Sequence, residues 1–280
     1  MSALIDTSTV RKFAVGLDHP EGVAVLSTGE VVAGGEAGQL YLIELDGAVT
    51  EVGSTGGFML GLCVDAEDNV FVADTGNGVV WTWSKNGDLV RFCPSNPDER
   101  FRQPNALALS AAGLYLSDSG VWDEANGTIH LLKSDGSSLV VGHEFPRFPN
   151  GLAVSPDGAW LYVVESQFGV SRAAIHADGR LGTREVVHPM PDEVPDGLLF
   201  DGDGGLLITC YQPNAVFRLT PHGSCSLLLH DAQAMLLSMP TNGAWLTDGR
   251  LLLANLGGWH LSAVALPFPP SRAKALPFLP

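Results

Sequence analysis

Short apolar runs separated by Gly-, Asp- and Asn-containing turns follow one another along this chain, and no segment holds a 3.6-residue apolar period over several helical turns. The stretches VLSTGEVVAGG, VDAEDNVFVAD, LSAAGLYLSD, VSPDGAWLYVVE, FDGDGGLLITC and LTDGRLLLAN each read as two β-type runs around a tight turn, which predicts antiparallel hairpins. Each hairpin is preceded by a related phrase: PEGVAV from Pro20, MLGLCV from Met59, PNALAL from Pro104, PNGLAV from Pro149, PDGLLF from Pro195 and TNGAWL from Thr241. The residues in the shared phase are Glu21, Leu60, Asn105, Asn150, Asp196 and Asn242, polar in every phrase but one.

These residues recur at intervals of roughly 39 to 46, the spacing of propeller blades rather than of helical repeats. The expected fold is all-β, a six-bladed β-propeller with four-stranded antiparallel blades, forming one domain over residues 1–280. Ring closure is expected where TVRKFAV from Thr9 lies beside HLSAVAL from His260, removing exposed sheet edges. The best helical candidate, HDAQAMLLSM from His230, reads as a loop or a single turn.

Strands that surround an axis bring equivalent positions of all blades to one mouth. Glu21 and Asp196 would supply carboxylates there, and Asn105, Asn150 and Asn242 amide oxygens, an all-oxygen set suited to Ca²⁺ or Mg²⁺. Pro-Asn-Gly and Pro-Asp-Gly are also ordinary turn sequences, and a turn accounts for any one of them. A turn does not require a polar residue at the same phase in blade after blade.

A formal net charge of -16, with the 15 Lys and Arg scattered, argues against a nucleic-acid partner and leaves small neutral or cationic ligands. Neither a basic leader with an apolar core nor a run of bilayer length is found, so no membrane partner and a soluble, cytoplasmic protein are expected. Cys63, Cys93, Cys210 and Cys225 form no CxxC pair and read as buried thiols. The eight histidines lack HExxH or HxH spacing, and His260 is placed near a blade end.

The phrases HPEGVAV, RQPNALAL, FPNGLAVSPDG, VPDGLLFDGDGGLLITCY and ANLGGWHL resemble those of the SMP-30/gluconolactonase/LRE family, over nearly the whole chain. The resemblance implies a metal-dependent hydrolase that opens a sugar lactone or related cyclic ester at a divalent cation in the central tunnel. It places the metal ligands at Glu21, Asn150 and Asp196, and a substrate contact at Asn105. Calcium is the cation expected first, with zinc, manganese, magnesium or iron as alternatives. Asp196 would serve as general base and Asn105 would orient the substrate. The chain departs from the family at the third phrase, where many relatives carry Asn-Asp after an Arg: here Ala106 stands in the Asp position and Arg102 lies one place early.

Arg102, Trp122 and Tyr211 are the further substrate-binding candidates, and Glu36, Phe58, Met59, Asp118, Glu165, Phe168 and Trp259 are also expected at strand ends or blade loops. If the aromatic residues line the mouth, a hydrophobic lactone or ester is favoured. Two other readings stay open, a metal-assisted isomerase, lyase or cyclase, which the missing carboxylate at Ala106 would suit, and a non-catalytic binding propeller. The expected partner is a small molecule, with the protein a monomer or homodimer. The Pro-rich tail LPFPPSRAKALPFLP from Leu266 is expected to pack over the ring closure.

Overall fold

The computed structural model describes residues 4–85, 87–271 and 275–278. Among the described residues, twenty-four strands form six four-stranded antiparallel sheets. The first strand of each hairpin is the inner edge of its blade: Val23–Val25, Met59–Val64, Pro104–Ser110, Pro149–Val154, Val194–Phe200 and Pro240–Trp245. Each inner strand packs beside those of the blades before and after it, and the last packs beside the first. This is the predicted six-bladed β-propeller.

The ring closes as the chain ends predict. Arg11–Val15 pairs antiparallel with His260–Val264, with Arg11 opposite Ala263 and Val15 opposite His260, so the sixth blade takes its outer strand from the N-terminal part of the chain. The closing pair leaves both blade edges at the seam hydrogen-bonded.

Apolar residues fill the six wedges between neighbouring blades. Successive residues of a strand face opposite ways: Leu114 packs toward the second blade with Phe71 and Val80, while Tyr115 packs toward the fourth with Leu152 and Val163. Both faces of these strands are covered by protein, which is why their sequences read as continuous apolar runs rather than strict alternation. The thiols behave as such filler: all four are unpaired, and burial pushes Cys63 up to about 11 and Cys93 up to about 12.

The segment from His230 is a loop organised by Asp231, whose Oδ2 accepts the N–H groups of Met235, Leu236 and Leu237. The Pro-rich tail extends beyond the closure. Pro269 accepts the N–H of Gly202 on the fifth blade, the Leu276 carbonyl accepts the N–H of Ala66 on the second, and Phe278 meets Phe71 and Phe92 edge-on. Residues 272–274 and 279–280 of that tail lie outside the described residues. No described helix is long and apolar enough to cross a membrane.

Candidate metal centre and cavity

Every inner strand except the first shown here begins with an irregularity of pairing. Register with the second strand shifts between Met59 and Leu62, Pro104 and Leu107, Pro149 and Leu152, Pro195 and Leu198, and Pro240 and Gly243. Leu60, Asn105, Asn150, Asp196 and Asn242 fall inside these gaps, where a bulge frees a side chain from the ladder and re-aims it, and Glu21 precedes its strand.

In four of the phrases the next residue is a glycine that brings neighbouring inner strands together. A Cβ on Gly61 would lie 2.6 Å from the Asn105 carbonyl oxygen; one on Gly22, Gly151 or Gly197 would collide with the carbonyl of Leu60, Asp196 or Thr241. These glycines therefore permit close approach around the axis rather than forming a turn. The left-handed backbone instead belongs to the residue before the proline, at His19 (φ 41°), Phe148 (φ 60°) and Met239 (φ 50°).

Glu21, Asn105, Asn150 and Asp196 converge on one cavity of about 390 Å³. All four are buried, with exposures of 2%, 3%, 5% and 6%. Glu21 Oε2, Asn105 Oδ1, Asn150 Oδ1 and Asp196 Oδ1 have no hydrogen-bond partner, and only two other buried side-chain atoms among the described residues share that condition. Such groups are costly to bury unmet. Among the described residues no Lys, Arg or His lines the cavity, so they offer no countercharge to the two carboxylates there. Burial, and then the charge of Asp196, push Glu21 well above the usual carboxylate range; burial pushes Asp196 up to about 7. Four unmet oxygens and two uncompensated negative charges fit a hard divalent cation, which Glu21, Asn150 and Asp196 could hold with Asn105 beside it.

Asn242 does not line the cavity. Its Nδ2 donates to Glu21 Oε1 and to the Glu21 carbonyl, each at 3.2 Å, and so fixes the glutamate. Asn150 is oriented similarly, its Nδ2 donating to Ser166 Oγ at 3.2 Å. Leu60 joins the same cavity as an apolar member of the repeated phase.

Trp122, Tyr211 and Phe58 line the cavity, together with Phe148, Gln103 and Gln212, which sequence reasoning missed. Phe148 sits directly before the Asn150 phrase, and Gln103 directly before the Asn105 phrase, so proximity to the repeat was the available signal. Arg102 is exposed and off the cavity wall. Asp118 takes the N–H groups of Arg102 and Gln103 at 3.0 and 2.7 Å, fixing the backbone so that Gln103 forms the wall. Ala106 is buried among apolar residues of the third and fourth blades.

The remaining candidates lie elsewhere. Asp118 and Glu165 end second strands and clamp the loop entering the inner strand: Glu165 Oε2 accepts from Arg147 N, and Glu165 Oε1 pairs with Arg184 at 2.6 Å. Asp74 accepts from Phe58 N and Asn255 from Ser238 N in the same way. Phe168 lies between the guanidinium groups of Arg147 and Arg184, and Met59 is core. Glu36 and Asp18 both meet His19 Nδ1 at 3.1 Å, His19 packs on Trp259, and His260 Nε2 faces the Leu236 carbonyl.

Comparison with known proteins agrees with this architecture. A virginiamycin B lyase of Nocardia farcinica is 31% identical over 137 residues, 48% of this chain and 42% of the relative. Human regucalcin is 25% identical over 150 residues, 50% of each chain. The chain thus spans about half the length of the curated relatives it matches. Among solved structures, a gluconolactonase from Xanthomonas campestris superposes with a TM-score of 0.77 at 22% identity, covering 92% of this chain and 89% of that one. The SMP-30/Gluconolactonase/LRE-like family model matches residues 91–230, half of the chain, a span that carries Asn105, Asn150 and Asp196. The chain belongs to the SMP-30/gluconolactonase/LRE-like family.

Proposed function

We propose that this protein hydrolyses a lactone or related cyclic ester in the cavity at the tunnel mouth, with a divalent cation held by Glu21, Asn150 and Asp196. The observation that carries this reading is the convergence of four unpartnered buried oxygens from four blades on one cavity floor. Family membership supports it. Calcium is the cation the all-oxygen set favours, and a regucalcin is among the relatives; zinc, manganese, magnesium and iron are the alternatives to be tested against it. When bound, the cation would neutralise the two carboxylates and polarise an ester carbonyl.

The chain's own residues would do the rest. Asp196 is the group to accept a proton from the attacking water, Asn105 to orient the ring, and Trp122 and Tyr211 to cover it from bulk solvent. Water adds its oxygen to the acyl carbon, the acyl–oxygen bond breaks, and the ring oxygen leaves as a hydroxyl with one proton. The hydroxy acid formed then ionises. No nucleic acid or membrane is required, and a monomer or homodimer suffices because all four oxygens come from one chain.

A second reading has its own support. Among the described residues the cavity is lined by no carboxylate beyond the two of the cation site, and a lyase is among the relatives. A lyase would open the ring by elimination, without water. Proton release in a pH-stat from a panel of lactones, with chelator-stripped and cation-resupplied protein, tests the main reading; mass analysis in ¹⁸O-water separates the two. Cation-restored release with one ¹⁸O per product is the result for hydrolysis, and an unlabelled unsaturated acid is the result for elimination.

A further inference from the structure

We infer that the cavity selects an uncharged ring compound bearing an apolar alkyl or aryl substituent, so that the substrate is an apolar lactone rather than a polyhydroxylated one. This rests on the lactone-opening reading for its chemistry, and on the cavity wall for its selectivity.

The unmet oxygens of the cavity belong to Glu21, Asn105, Asn150 and Asp196. The lining also carries Phe58, Leu60, Trp122, Phe148 and Val194, and its other polar side chains are Thr75, Gln103, Ser166, Tyr211 and Gln212. Ser166 is already engaged by Asn150. A sugar lactone brings several hydroxyls that lose water on entry, and each one left without a partner weakens binding by about tenfold. An alkyl or aryl group loses nothing polar and gains buried contact area.

Two further features point the same way. Leu60 occupies the one place in the six-fold repeat where a polar side chain would otherwise reach the floor, which turns that side of the floor apolar. Trp122 is 44% exposed while its ring packs edge-on against the buried Phe148, with centroids 4.7 Å apart. A large ring held half in water at the rim of a cavity is a surface that an apolar substituent would cover. Charge completes the selection. With no cationic side chain among the described residues of the wall, and two carboxylates already balancing a bound dication, a charged substituent on the substrate gains no ion pair with the chain.

The test is a series of δ-lactones with saturated chains of increasing length, compared with glucono-δ-lactone by proton release, alongside binding of the matching lactams followed by tryptophan fluorescence. Burying each methylene corresponds to about a fourfold gain, so kcat/KM and lactam affinity should both climb about fourfold per carbon until the cavity fills. Trp122→Ala, a change at a partly exposed rim position, should flatten both series. Preference for glucono-δ-lactone, or a series flat in the wild type, overturns the inference and leaves lactone hydrolysis standing. Lactam affinity that climbs without turnover of any lactone upholds the selectivity and overturns the hydrolytic reading. Lactam affinity indifferent to chain length overturns the inference whatever the turnover.

Discussion

Two sets of buried polar residues face one another at the same ends of the blades. Pro104 and Pro149, which lead into Asn105 and Asn150, are register partners of Asp118 and Glu165 on the second strands. The sets share residue types and burial, and they differ in partnership. Asp118 holds two backbone N–H groups, and Glu165 holds an N–H, a hydroxyl and a guanidinium. Glu21, Asn105, Asn150 and Asp196 each keep one oxygen with nothing to accept from. A polar residue at a strand end is therefore a joint when its hydrogen-bonding capacity is spent within the chain, and a binding group when it is left open.

The contrast gives separable mutational outcomes. Asp196→Ala should lower cation-supported lactone turnover by about a thousandfold, as loss of a positioned proton acceptor does, while circular dichroism reports an intact propeller. Glu165→Ala should reverse the pattern. Removing it leaves Arg184 without its carboxylate and should cost about 3 kcal/mol in denaturant unfolding, with cation affinity retained.

The open set should also give the stripped protein an unusual pH dependence. Because burial raises both carboxyls of the open set, Glu21 well above the usual range and Asp196 up to about 7, the folded state binds more protons than the unfolded state between about pH 4 and pH 7. Stability of chelator-treated protein should fall as pH rises through that window, by on the order of 3 kcal/mol. Saturating Ca²⁺ should remove most of the slope, which thermal melts across the window would show. A slope of the opposite sign would place the burial of these carboxylates in doubt.

Smaller effects probe how the open set is built. Gly197→Ala drives a methyl into the Thr241 carbonyl and should cost about 1–3 kcal/mol while weakening cation binding. Asn242→Ala removes only the amide that steadies Glu21 Oε1 and should weaken cation affinity about tenfold.

The architecture was legible because the phrase repeats at the spacing of a blade and both faces of each strand must be apolar to fill a wedge. Ring closure followed from an unpaired run at each end of the chain, and its register is now Arg11 against Ala263. Glu21, Asn105, Asn150 and Asp196 were legible as a group because a shared phase becomes a shared direction once strands surround an axis. Three things were not. Gly22, Gly61, Gly151 and Gly197 look in sequence like turn residues, since close approach to a neighbouring strand depends on tertiary structure. Asp118 and Glu165 look like pocket residues, since only their partners reveal that they clamp loops. Arg102 looks like a substrate contact, since one bond pair to Asp118 decides that Gln103 forms the wall instead.

The most direct test of the open set is cation stoichiometry, measured by equilibrium dialysis of chelator-stripped protein against Ca²⁺ and Mn²⁺. The account predicts one tight site in the wild type and in Asp118→Asn, and none in Glu21→Ala or Asp196→Ala. A tight site that survives in both alanine variants, or that disappears in Asp118→Asn, would contradict it.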